Sequence, residues 1–174
     1  MRTNRSMQKF SILILVWIVF GFFAQTNAQQ KENALPSVAE KFIGEWRGVG
    51  TTADGEKFRS DLIFTWTLNR HFLKVENMIQ SGGKPQLFAT TYYGWQPVLK
   101  QIQFWSFDRD GTINEGAAKF DGKTLSHEWR SFSQNGEITD WRSSLELQSK
   151  QQLVFTLSDG NRLGGNTVVY KRKE

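Results

Sequence analysis

The chain has 174 residues, 39% of them hydrophobic and 14% aromatic, which is enough apolar matter for one core and excludes a disordered chain. Its formal charge is +5, but Arg2, Arg5 and Lys9 sit in an acid-free leader, and taking those 3 from the 22 basic residues leaves 19 against 17 acidic ones. A nearly neutral remainder of alternating sign excludes nucleic acid as a partner. The absence of cysteine excludes disulfides, thiolate nucleophiles, thiolate-bound zinc and lipoprotein attachment.

Met1 to Lys9 is basic, and the 15 residues from Phe10 to Ala24 are apolar and uncharged. Thr26 and Ala28 then put small residues at −3 and −1 of a cleavage site. Residues 1–28 therefore read as a cleaved signal peptide, and the protein as exported to the periplasm or beyond. A retained anchor needs roughly 20 apolar residues, and no membrane span is expected in the mature chain. Residues 29–35 are polar and read as a flexible segment; residues 36–174 read as one domain.

Pro36 opens a short amphipathic segment in which Val38, Phe42 and Ile43 are apolar, and Gly44 closes it. Proline at the start and glycine at the end predict one or two helical turns. From Glu45 onward the pattern is that of strands. Phe58, Leu62, Phe64, Trp66 and Leu68 share one parity while Arg59, Asp61, Thr65 and Thr67 take the other. Turns stand at Ala53-Asp54-Gly55, Ser81-Gly82-Gly83, Asp108 to Gly111, Asp121-Gly122, Gln134-Asn135-Gly136 and Ser158-Asp159-Gly160. Asp-Gly and Asn-Gly tolerate the positive φ that hairpin turns require.

The spacing predicts ten strands: 45–52, 57–68, 71–80, 86–95, 101–107, 112–119, 123–131, 137–147, 151–157 and 166–172. Successive hairpin-linked strands predict an all-β, up-and-down antiparallel barrel, because curling removes the open sheet edges. A two-sheet sandwich is the alternative. A membrane barrel is disfavoured, since Arg59, Asp61, Glu128, Arg130, Arg142 and Glu146 would face lipid.

The run Gly44-Glu45-Trp46-Arg47-Gly48-Val49-Gly50 resembles the opening of calycin-type barrels, where lipocalins carry G-x-W and nitrobindin-like haem barrels the longer form. Over 42–172 the chain is similar to exported bacterial lipocalin-like proteins of a domain of unknown function. The shared segments are Leu68 to Leu73, Tyr93-Gly94-Trp95, Trp105-Ser106-Phe107-Asp108 and Tyr170-Lys171-Arg172. Structural roles explain the opening by themselves. Gly44 permits the change from helix to strand, Trp46 plugs the closed end, and Gly48 and Gly50 allow close approach on one face.

The resemblance to nitrobindin-like barrels implies haem held by a histidine near the C-terminal end. The last fifth has none, and Tyr170 is the only substitute there, so no cofactor is expected. His127 shares the parity of Leu125 and Trp129 and so faces the interior, as a satisfied core histidine, a ligand contact or a general base. His71 reads as a solvated corner residue, and neither histidine has the further ligands a metal needs. Asp108, Asp110 and Glu115, and likewise Glu137 and Asp140, are acids at turns, too common there to mark a glycosidase pair or a calcium loop.

Trp66, Tyr93, Trp95, Trp105, Trp129 and Trp141 are candidates to line a pocket. The leading expectation is a binding site for a small apolar ligand built from Trp66, Tyr93, Trp105, Trp129 and Trp141, with His127 or Arg142 as polar contacts. An enzyme with an acid/base at His127, and a non-catalytic envelope module with a filled barrel, are the alternatives. No catalytic set is identified.

Overall fold

The computed structural model describes residues 33–51, 55–159 and 167–174; the leader, part of the Ala53 turn and the turn after Asp159 lie outside them. Its elements are α1 Leu35–Phe42, β1 Gly44–Thr51, β2 Lys57–Thr67, β3 Phe72–Gln80, β4 Gln86–Gln96 and β5 Gln101–Asp108. Then follow β6 Ile113–Phe120, β7 Thr124–Phe132, β8 Ile138–Ser149, β9 Gln152–Asp159 and β10 Thr167–Arg172. Each strand pairs antiparallel with its sequence neighbours, and β1 pairs with β10, so the sheet is a closed up-and-down barrel of ten strands. Closure leaves no edge, which decides against the sandwich. Among the described residues no helix is long and apolar enough to cross a membrane.

The strand limits follow the turn residues. Gly55, Gly82, Gly111, Gly122 and Gly136 all take the positive φ expected of them. The corner between β2 and β3 is different. Leu68, Asn69 and Arg70, none of them glycine, have φ of 47°, 54° and 64°, and the turn closes with His71 N donating to Leu68 O at 3.1 Å. Leu68 is therefore an exposed turn residue, not the last inward residue of β2 as its parity implies.

At one end the barrel is stoppered. Leu35, Val38, Ala39 and Phe42 form the buried stripe of α1. Trp46, fully buried, donates its Nε1 to Phe42 O at 2.8 Å, and the Phe42 ring packs on Phe64 and Phe120. Arg172 of β10 stacks 4.1 Å over the Trp46 ring and donates to Lys41 O at 2.7 Å and to Ile43 O, satisfying carbonyls at the helix C-terminus. Gly48 sits beside them because a Cβ there would meet Val168 Cγ1 at 2.7 Å.

Candidate ligand-binding cavity

Beyond the plug the interior is not filled. It holds a cavity of about 470 Å³ whose lining runs from Leu62 and Phe64 beside the plug to Phe88, Asp108 and Ser131 at the far ends of their strands. Inward positions on β5 to β8 that carry serine, asparagine, histidine or glycine in place of large aliphatics create that space.

Three polar groups interrupt the apolar wall. In the first, Tyr93 OH lies 3.0 Å from His127 Nε2, and Ser143 Oγ lies 3.1 Å from His127 Nδ1. Two hydroxyls, each able to donate or accept, serve either neutral tautomer of the ring. Burial pushes His127 down from 6.5 to about 4, a hydrogen bond to Ser143 opposing it weakly, so the ring is neutral near pH 7. Burial also pushes the Tyr93 phenol well above its usual range. Ala118 stands opposite His127 in the β6–β7 register, and the Phe104 ring meets the imidazole edge-on at 5.3 Å.

The second group joins β2, β3 and β10: Ser60 Oγ donates to Asn77 Oδ1 at 2.9 Å and lies 2.9 Å from Tyr170 OH. Burial raises Tyr170 to about 12. In the third, Thr91 Oγ1 donates to Ser106 Oγ at 2.9 Å, and Asn114 Nδ2 and Ser106 Oγ reach the Asp108 carboxylate at 3.0 and 3.4 Å. Burial raises the Asp108 carboxyl, the two hydrogen bonds oppose the shift, and the charge of Asp110 adds to it. Among the described residues no buried side-chain nitrogen or oxygen lacks a partner.

The aromatic wall is formed by Trp129 and Trp141, stacked at 6.4 Å, with Phe104 edge-on to Trp129 at 6.0 Å. Tyr93, His127, Trp129 and Trp141 are thus brought together in one cavity, of which strand parity predicts only the shared face of His127 and Trp129. Four other sequence candidates, Trp66, Trp95, Trp105 and Arg142, are not. Trp66 lies in a separate hollow of about 370 Å³ at the plug end, with Leu35, Arg70, His71 and Trp95. Trp105 is on the outer face, 37% exposed, because Ile102, Phe104 and Ser106 take the inward positions of β5. Arg142 alternates with Trp141 and Ser143 and so points outward, where its Nε donates to Glu128 at 3.2 Å.

Asp108, Ser106, Asn114 and Ser143 line the cavity without having been candidates for it, since small polar residues leave no hydrophobic signal. His71, Asp110, Glu115, Glu137 and Asp140 are exposed. A wider open hollow of about 1190 Å³ lies on the outer face around Trp105, Glu115, Glu128 and Arg130. Four of its charges pair with one another, Arg130 with Asp140 at 3.4 Å and Arg142 with Glu128 at 3.2 Å.

Haem, which the opening motif implies, finds no fitting axial ligand among the described residues of this interior. Both nitrogens of His127 are engaged by hydroxyls, and Tyr170 is a neutral phenol bonded to Ser60. Among the described residues no three histidine or acidic side chains group as metal ligands.

No protein-family model matches the chain, and no curated protein sequence matches it. Solved structures do. The crystal structure of Rv2717c from M. tuberculosis superposes with a TM-score of 0.54 at 16% identity, over 82% of this chain and 99% of that one. A redesigned β-barrel matches with a TM-score of 0.43 at 18% identity over 78% and 95%. Another redesigned barrel, mFAP1, bound to DFHBI, matches with 0.40 at 14% over 82% and 100%. The likeness to Rv2717c is one of fold, a closed β-barrel.

Proposed function

We propose that this chain binds a small, largely apolar molecule inside its barrel. One observation carries the reading: an interior cavity of about 470 Å³ with aromatic walls and a few satisfied polar groups. That volume falls in the roughly 300–1,000 Å³ range of small-molecule sites, which share this mixture of apolar wall and sparse polar contacts. A filled structural barrel would have no such space. A general base serves best with a pKa near the working pH, whereas His127 is held at about 4 and capped on both nitrogens, so it supports ligand contact over catalysis.

Trp129 and Trp141 are the reporters. Their fluorescence is expected to quench or shift when the protein is titrated with a panel of polycyclic aromatic, fatty-acid and flavonoid compounds. Silence across the panel, with Trp141→Phe indistinguishable from the parent protein, refutes the proposal. The leader sequence of residues 1–28 supports an exported protein. Intact mass of the protein recovered from cells expressing the whole chain is expected to start at Gln29, and a mass starting at Met1 refutes that.

A further inference from the structure

We infer that the occupant of this cavity is an amine, bound as its ammonium ion with the nitrogen at Asp108 and the ring system against Trp129 and Trp141. The inference rests on the cavity being a binding site. Among the described residues the other polar side chains of the lining are hydroxyls, amides, indoles and the neutral imidazole; Asp108 is the one carboxylate in the lining, and none of its side chains is a cation. Among the described residues the Asp108 oxygens accept only from neutral donors, Asn114 Nδ2 on Oδ2 and Ser106 Oγ on Oδ1. A carboxylate has about four acceptor sites, so room remains for a further donor.

The residue best placed to neutralise it turns away. Arg109, its neighbour in sequence, lies over the Phe88 ring at 5.6 Å and donates to Gln86 Oε1 at 3.1 Å. Among the described residues Asp108 has no ion-pair partner, in contrast to the outward acids Asp61, Glu128, Asp140 and Glu146, each paired with an arginine or lysine. A carboxylate withdrawn from water without a counter-ion is unfavourable, and an incoming cation relieves that cost. A ligand carboxylate would meet Asp108 as a like charge.

The test uses three probes with one naphthalene body: naphthalen-2-ylmethylammonium, naphthalen-2-ylmethanol and 2-naphthoate, by equilibrium dialysis at pH 7.5. The ammonium is expected to bind at least about tenfold more tightly than the alcohol, and the carboxylate more weakly than either. Asp108→Asn is expected to collapse that ranking, and Asp110→Asn, altering an exposed acid on the same hairpin, to preserve it. If the alcohol binds and the ammonium is no tighter, the inference falls while the binding cavity stands. A ranking that survives Asp108→Asn overturns it equally. Failure of all three probes to bind removes both. Should Asp108→Asn not fold, the ranking in the parent protein decides.

Discussion

Acid should weaken this barrel through His127 over a defined window. In the unfolded chain the imidazole has a pKa near 6.5; in the folded barrel burial lowers it to about 4. Above 6.5 both states carry a neutral ring and stability is at its full value. As the pH falls from 6.5 toward 4, the unfolded state takes up a proton that the folded state refuses, so stability drops with acid, and below 4 this group costs nothing more. The difference corresponds to a loss on the order of 3 kcal/mol. For a barrel of this size that is a fall in Tm of about 6–12 °C. Urea unfolding at pH 7 and pH 4 measures it, with His127→Gln as the comparison, since glutamine does not titrate while every other ionisable group is common to both proteins. The parent is expected to lose about 3 kcal/mol more than the variant between the two pH values. Equal losses would refute the buried, neutral imidazole.

Tyr93→Phe removes the hydroxyl that meets His127 Nε2 and leaves that nitrogen buried and unpaired; a loss of about 1–3 kcal/mol in urea unfolding is expected, much of it recovered when His127→Leu is added. Gly116→Ala is expected to cost more than Gly50→Ala. A Cβ at 116 meets Glu128 O at 2.1 Å and Trp129 Cα at 2.6 Å, which are backbone atoms, whereas at 50 it meets only the far end of the Phe58 ring. Equal thermal shifts would contradict that reading. Arg172→Ala is expected to lower stability by about 2 kcal/mol and Arg172→Lys to restore little, because an ammonium cannot both stack on Trp46 and fork to the helix carbonyls. Full rescue by lysine would show that charge alone matters. The Arg47–Asp61 pair, with N–O distances of 2.9 and 3.0 Å, holds the Asp61 carboxyl below its usual range, first through the hydrogen bond from Arg47. Asp61→Asn is expected to cost at most about 1 kcal/mol at pH 7, with the difference vanishing as the pH falls through the lowered carboxyl range and shrinking in high salt.

The strand plan was legible because glycine-bearing turns punctuate it, and the ten strands fall within about two residues of the spacing set by those turns. Which side chains face inward was legible only where one face is plainly apolar. On β7, His127 between Leu125 and Trp129 leaves no ambiguity. On β5, Phe104 and Trp105 are adjacent and Phe107 follows, so both faces carry aromatics and alternation cannot choose; register with Gly116 and Glu115 does. The outward row Phe107, Ile113 and Ile138 is apolar yet exposed, so apolar character alone does not mark the inner face there. Asp108 was visible only as one more acid at a turn. That it faces the cavity depends on the far end of β5 continuing the inward parity of Phe104 and Ser106, which a run of ordinary turn residues does not announce.

Nine of the ten ladders are hairpins between consecutive strands, each able to zip locally as soon as its turn forms. The tenth joins the two ends of the domain, from Trp46 opposite Arg172 to Val49 opposite Val169, with Lys173 N donating to Glu45 O at 2.8 Å. It alone must meet the entropy of closing the whole loop. Until it forms, the meander has two free edges able to recruit other chains. The same residues that stopper the barrel, Trp46 and Arg172, therefore also act as the clasp of the ring. Amide exchange in β1 and β10 should report on the moment when the protein is most open to aggregation.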